Sequence, residues 1–118
     1  GLPQIQLHGF ADRGGLDVVL SPGATRPGPL LAAVHDRLAR TGERVGTGAD
    51  PCWADLLGRR NVTGRAAARC GAAFVHVELS RSLRRDPARR EVVADALAGA
   101  LAAAGLADRP EPSDVSRG

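Results

Sequence analysis

Four short strand-like runs, interleaved with two helical runs, constrain the fold of this chain more than any other feature. The strand-like runs cover 2–10, 16–24, 43–49 and 72–80, and the helical runs cover 26–42 and 88–105. Pro29 suits the first turn of the first helix, and Gly42 suits its end. This order predicts an α/β fold with a mixed, mostly parallel sheet and flanking helices.

Length and composition predict one folded unit. With 118 residues, of which 43% are hydrophobic, the chain can bury one modest core and is too apolar to be disordered throughout. We predict a single α/β domain or half-domain over residues 1–106 and a disordered tail over 107–118. Residues 50–71 are predicted to be irregular, apart from a helical turn near Trp53.

The start of the chain and its two cysteines leave alternatives open. The sequence lacks methionine and begins at Gly1, just before a strand-like run. Either an upstream segment has been removed, or the initiator methionine has been trimmed. The compartment, cytoplasmic or secreted, is open too, and a Cys52–Cys70 disulfide is favoured over two separate thiols. No apolar run approaches the length of a membrane-spanning helix, so no membrane partner is predicted.

The basic residues do not predict nucleic-acid binding. The net charge is only +3 and aromatic residues make up only 3% of the chain, whereas nucleic-acid binders usually concentrate charge and interleave it with aromatic side chains. A solvated, ion-paired helix face is predicted instead from Arg84, Arg85, Arg89, Arg90, Glu91 and Asp95.

Two strand-borne side chains are the candidates for chemistry. His8 follows an apolar strand and precedes a glycine, a setting that suits a metal ligand, although a histidine bonded to a loop carbonyl is the alternative. Glu78 lies within an apolar strand, and alternation places it on the same face as Phe74 and His76. Burying a carboxylate is costly unless it is paired or functional. Glu78 is therefore a candidate general base or a member of a structural ion pair. His76 is a secondary candidate, either as a metal ligand or as a hydrogen-bonding partner of a ligand.

These two stretches together resemble a known family. "IQLHGF", followed about seventy residues later by "HVELSRSLR", is similar to the C-terminal half of zinc carboxypeptidase-like hydrolases. The bacterial and phage proteins of the poly-γ-glutamate hydrolase type look most similar, and "NVTGR", from Asn61 to Arg65, fits the same group. The resemblance covers roughly residues 4–103. Its specificity lies in the order and spacing of short motifs.

The resemblance implies a zinc-dependent hydrolase of amide or peptide bonds, whose substrate bears a free carboxylate, as a glutamyl peptide does. On this basis His8 is a zinc ligand and Glu78 is the general base that takes a proton from water and delivers it to the leaving amine. Arg65 would hold the substrate carboxylate through a bidentate fork, with Asn61 as its hydrogen-bonding companion. A solvated surface loop is the other interpretation of this stretch.

One departure from the family pattern affects the expected activity. The family's first two zinc ligands come from an upstream His-x-x-Glu motif, which this sequence does not contain. A catalytic zinc normally has three protein ligands. The isolated chain is therefore expected to be inactive unless an upstream segment or a second chain completes the metal site. The alternative is a non-catalytic α/β interaction module, or a remnant of such a hydrolase.

Overall fold

The fold is seen in a computed structural model that describes residues 2–47 and 51–107. In chain order its elements are β1 (Gln4–Phe10), β2 (Val18–Ser21), α1 (Pro29–Ala39), β3 (Val45–Gly46), a short 3₁₀ helix (Pro51–Leu56), α2 (Val62–Cys70), β4 (Phe74–Ser80), α3 (Arg81–Arg85) and α4 (Pro87–Ala107). The predicted tail lies outside the described residues, except for Ala107. None of the described helices is long and apolar enough to cross a membrane.

The four strands form one mixed sheet in the order β1-β4-β2-β3. β1 runs parallel to β4 and β2 runs parallel to β3, whereas β2 and β4 are antiparallel. The predicted α/β class, with a mostly parallel sheet and flanking helices, is confirmed. β1 pairs with β4 along its whole length, from Gln4 beside Phe74 to Phe10 beside Ser80. The position of β1 therefore depends on β4.

The sheet has two different faces. The main core lies between one face and helices α1 and α4, and its strand residues are Val18, Leu20, Val75 and Val77. The opposite face carries two smaller clusters beneath the 3₁₀ helix and α2, centred on Trp53 and Phe74. Because side chains alternate along β4, His76 and Glu78 project to this second face, away from the main core.

Helix α2 lies where the sequence predicts an irregular segment, so that prediction was wrong for residues 62–70. The Asn61 side chain accepts a hydrogen bond from the Gly64 amide at 3.0 Å and caps the start of the helix. Gly71, with a φ of 69°, ends it in the left-handed conformation. Cys70 is the last residue of this nine-residue helix, whereas Cys52 lies in the 3₁₀ helix that precedes it. In the described chain no disulfide joins these two exposed cysteines, contrary to the prediction.

The last part of the chain contains two helices where the sequence predicts one. The Ser80 hydroxyl accepts a hydrogen bond from the Leu83 amide at 3.2 Å, which starts the short helix α3 directly after β4. α4 then begins at Pro87 and continues to Ala107. The predicted end at Gly105 was therefore too early.

Arg89 is paired differently from the prediction. It donates to the two carboxylate oxygens of Glu43 at 2.9 and 2.6 Å, and its guanidinium lies 3.2 Å from Asp17. The Arg44 amide donates to the same Asp17 carboxylate at 2.8 Å. These contacts join the starts of β2, β3 and α4. The predicted solvated helix face was wrong for Arg89, which acts across the fold.

Candidate metal site

The pairing of β1 with β4 brings the candidate side chains together on the second face of the sheet. His8 lies beside Glu78, and Gln6 lies beside His76. His8 and Glu78 are each two residues from the carboxyl end of their strand, which is where ligand sites in α/β sheets usually lie. The four side chains therefore occupy neighbouring positions on two parallel strands.

Three of these side chains form a compact group of possible metal ligands. The imidazole rings of His8 and His76 are stacked, with centroids 4.5 Å apart and an interplanar angle of 27°. His76 Nε2 lies 3.8 Å from Glu78 Oε1. Each residue offers a ligand atom, and these atoms all lie within 4.8 Å of one another. The fold thus adds His76 to the predicted pair of His8 and Glu78.

The polar atoms of this group are buried but poorly satisfied. His76 is 3% exposed and Glu78 is 7% exposed, whereas His8 is the most accessible of the three. His76 Nδ1, Glu78 Oε2 and Gln6 Oε1 have no hydrogen-bond partner in the described part of the chain. Buried polar atoms are nearly always hydrogen-bonded. Three buried polar atoms without partners thus lie on neighbouring strand positions, where a bound ion or an ordered water could supply the missing contacts.

Burial raises the pKa of the Glu78 carboxyl to about 7, with a further contribution from the negative charge of Asp55. The guanidinium groups of Arg84 and Arg13 oppose this shift. A carboxylate with a pKa near neutrality is suited to accept and release a proton at physiological pH. This property fits the role of general base that is predicted for Glu78.

The pKa of His76 moves in the opposite direction to that of a histidine in an ion pair. Burial lowers it, and the charge of His8 lowers it further, while the backbone carbonyl of Leu56 opposes the change. This shift favours the neutral form of the His76 imidazole. A neutral imidazole is the form that binds a metal ion.

The segment around the 3₁₀ helix packs against the His76 side of the site. Gly58, with a φ of +63°, lies so close to His76 that a Cβ atom there would be 2.5 Å from the imidazole Cδ2. A glycine at position 58 is therefore needed for this segment to contact the His76 imidazole. In the same segment, Asp55 forms an ion pair with Arg13 at 2.7 Å, and Arg13 lies over the Trp53 ring, 4.9 Å from its centroid.

The chemistry of the group fits a divalent metal ion. Two imidazole nitrogens and one carboxylate oxygen are donors that zinc accepts in catalytic sites. Ligand atoms that share one zinc ion lie about 3.3 Å apart, given bond lengths of about 2.0–2.1 Å. The separations here, up to 4.8 Å, are wider, so the most distant ligand atoms would have to approach each other by about 1.5 Å around the ion.

Of the two predicted substrate-binding residues, Asn61 directly precedes α2 and Arg65 lies within it. The Asn61 side-chain oxygen is engaged as the helix cap, so its contact with a substrate stays a prediction. Arg65 is exposed on α2, and its role in holding a carboxylate also stays a prediction. The Asn61 side chain has a structural task that the "NVTGR" motif did not indicate.

Two features of the site were not predicted from the sequence. Gln6 shares the face of His8, and the polar alternation of Gln4, Gln6 and His8 was the available signal for it. The ion pair of Arg13 with Asp55 joins residues that are far apart in the chain. Only the fold places that pair near Glu78.

Comparison of this chain with protein-family models, curated proteins and solved structures finds no match. The resemblance to zinc carboxypeptidase-like hydrolases therefore stays a prediction.

Proposed function

We propose that this chain binds a divalent metal ion, zinc being the best fit, through His8 and His76, and that Glu78 serves as general base in the hydrolysis of an amide bond. The observation that supports this proposal is the buried Glu78 carboxylate, with Oε2 unpartnered among the described residues and Oε1 3.8 Å from His76 Nε2. A purely structural carboxylate at this position would need partners to offset its burial.

The metal, when bound, would polarise the scissile carbonyl and activate a water molecule. The protein's own part in the reaction follows from Glu78. Its carboxylate, whose pKa is about 7 in the metal-free chain, can accept a proton from the attacking water and return it to the leaving amine.

The second histidine changes what we expect of the chain alone. The sequence offered one predicted ligand, His8, with His76 as a secondary candidate. The stacked pair of imidazoles provides two nitrogens on one face of the sheet. In place of the inactivity expected from the sequence, we propose that the full chain binds zinc and is active without the upstream His-x-x-Glu motif, with a lower zinc affinity than a site of three protein ligands.

The substrate class rests on the family resemblance. An amide whose acyl or amine part carries a free carboxylate would be held by an arginine, since the guanidinium fork matches a carboxylate. Arg65 is our proposed partner for that group.

The test is a hydrolysis assay of the zinc-loaded full chain with a small set of glutamyl peptides, compared with Glu78→Gln. We expect hydrolysis to fall by about 10²–10⁴-fold in the variant, while the bound zinc measured by elemental analysis is unchanged. Glu91→Gln, an exposed carboxylate on α4, is the matched control. Absence of hydrolysis in the zinc-loaded wild type would contradict the enzymatic proposal. Joint loss of zinc and activity in Glu78→Gln would make Glu78 a metal ligand.

A second candidate function is a non-catalytic interaction module, with another copy of this chain as its partner. The observation that favours it is the seven-residue edge strand β1, on which Leu7 is 55% exposed. Unprotected edge strands are templates for pairing with another strand. β3, at the other edge, has only two residues.

Self-association tests this second function. Sedimentation velocity of the full chain should then show a dimer that Leu7→Lys converts to a monomer. A monomeric wild type at all concentrations would contradict it.

A further inference from the structure

We propose that Gln6 is a positioning residue of the metal site: its side-chain oxygen accepts the Nδ1 hydrogen of His76 and thereby turns Nε2 towards the metal. This inference rests on the proposed function, because it explains how His76 is held for metal binding.

The two ring nitrogens of His76 have different surroundings. Nε2 faces the ligand group, 3.8 Å from Glu78 Oε1. Nδ1 is buried and has no hydrogen-bond partner among the described residues. If Nε2 binds the metal through its lone pair, Nδ1 must carry the hydrogen of the neutral imidazole. That hydrogen then needs an acceptor.

Gln6 is the neighbour that can supply this acceptor. It pairs with His76 in the register of β1 and β4, and it lies two residues before His8, on the same face of the sheet. Its Oε1 is also buried without a partner in the described ranges. One unpaired donor and one unpaired acceptor thus lie on adjacent strand positions. A hydrogen bond between these two atoms would satisfy both at once.

The chemical reason for such a partner is general. Histidines that bind a metal usually donate their other ring N–H to a carboxylate, a carbonyl or water, which fixes the tautomer and the orientation of the ring. The other acceptor near the His76 ring is the backbone carbonyl of Leu56, which opposes the lowering of the His76 pKa. Mutation can distinguish the two acceptors, because only the Gln6 oxygen belongs to a side chain that can be replaced.

The experiment compares Gln6→Leu, which keeps the approximate size of the side chain and removes the acceptor, with Gln6→Glu, which keeps an acceptor oxygen. Gln4→Leu is the matched control, since Gln4 lies on the same strand and face but is exposed and pairs with Phe74. Two quantities are measured on the full chain. They are the zinc affinity, by calorimetry, and the tautomer of His76 in the metal-free protein, by nitrogen-15 NMR of the imidazole.

We expect Gln6→Leu to weaken zinc binding by about 10–100-fold and to move the hydrogen of metal-free His76 away from Nδ1. Gln6→Glu should restore the wild-type tautomer, and Gln4→Leu should change neither quantity. If Gln6→Leu does not fold, Gln6→Met replaces it, with the same expectations.

An unchanged His76 tautomer in Gln6→Leu would overturn the role of Gln6 and would assign the orientation of the ring to the Leu56 carbonyl. Equal loss of zinc affinity in Gln6→Leu and Gln4→Leu would overturn it too, because it would indicate a general effect on β1. A wild-type chain that does not bind zinc would contradict the proposed function instead. The tautomer measurement needs no metal, so the two failures are distinguishable.

Discussion

Two groups of buried charged side chains lie on this small sheet, and they differ in how well their polar atoms are satisfied. In the first, Asp17 and Glu43 are held by Arg44 and Arg89 through hydrogen bonds and ion pairs of 2.6–3.4 Å. In the second, His76 Nε2 lies 3.8 Å from Glu78 Oε1, which is beyond hydrogen-bond distance. Two buried atoms of that pair lack any partner in the described structure.

The difference shows which group serves the fold. Burial raises the pKa of Asp17, but the hydrogen bonds from Arg44 outweigh it, so the net pKa lies below the ordinary value. Burial also raises the pKa of Glu78, and the opposing arginines do not compensate for it. The first group therefore stabilises the native state at neutral pH, whereas the second costs stability unless something binds there.

Removal of Arg89 should have the largest effect on stability. In Arg89→Met two nearly buried carboxylates, Asp17 and Glu43, lose their shared partner. Loss of the partner of one buried acceptor costs about 1–3 kcal/mol, and more for a charged group, and this variant affects two carboxylates. Urea unfolding followed by circular dichroism measures the loss. Arg90→Met, an exposed arginine on the same helix, is the control, with an expected change within about 0.5 kcal/mol. Similar losses in the two variants would remove the contrast between the groups.

Removal of the Glu78 charge should raise the free energy of unfolding of the metal-free chain, in contrast to the removal of Arg89. Below the ordinary pKa of 4.5 the carboxyl is protonated in both states. As the pH rises towards the folded pKa of about 7, the unfolded chain ionises first and wild-type stability falls. Glu78→Gln cannot ionise, so its advantage should grow over this window and level off at about 3 kcal/mol.

The measurement for this prediction is urea unfolding with a chelator present, repeated from about pH 5 to about pH 8. Glu91→Gln should follow the wild-type curve throughout. A constant difference between Glu78→Gln and wild type over the whole range would mean that the Glu78 carboxylate is not destabilised by burial.

Substitutions of Asn61 and of Arg65 should distinguish a residue that stabilises the fold from one that contacts the substrate. Asn61→Ala removes the cap of α2 and should cost about 1 kcal/mol of unfolding free energy, measured by thermal or urea unfolding. An unchanged free energy of unfolding in Asn61→Ala would mean that the cap contributes little to stability.

Arg65→Ala should leave stability within about 0.5 kcal/mol of wild type, since the side chain is exposed. If Arg65 holds the substrate carboxylate, the variant should raise KM for carboxylate-bearing peptides in the hydrolysis assay and not for their amidated forms. An equal rise for both forms would exclude that role.

The strands and the two main helices could be predicted because their signals are local. The alternation in "FVHVELS" indicates β4 and the face that His76 shares with Glu78, and Pro29 and Gly42 bracket the first helix closely. α2 was missed because its interior contains Gly64 and because its start depends on one side-chain cap. Propensity alone does not indicate such a helix.

The site was predictable only in part, for a physical reason. The sequence indicates that His8 and Glu78 lie near strand ends, but their contact depends on which strands are neighbours and in what register. That register also places Gln6 beside His76. The Arg89 contacts were missed for the same reason, since Glu43 and Asp17 come from other elements of the fold.

The most direct test of the central claim, that the unsatisfied group is a metal site, is a calorimetric zinc titration of the full chain and of His8→Ala, His76→Ala and His35→Ala. His35 is half-buried in α1, away from the second face, and serves as the matched control. We predict about one zinc per wild-type chain, a loss of affinity of at least about tenfold in His8→Ala and in His76→Ala, and no change in His35→Ala. No binding by the wild type, or an equal loss in all three variants, would contradict the claim.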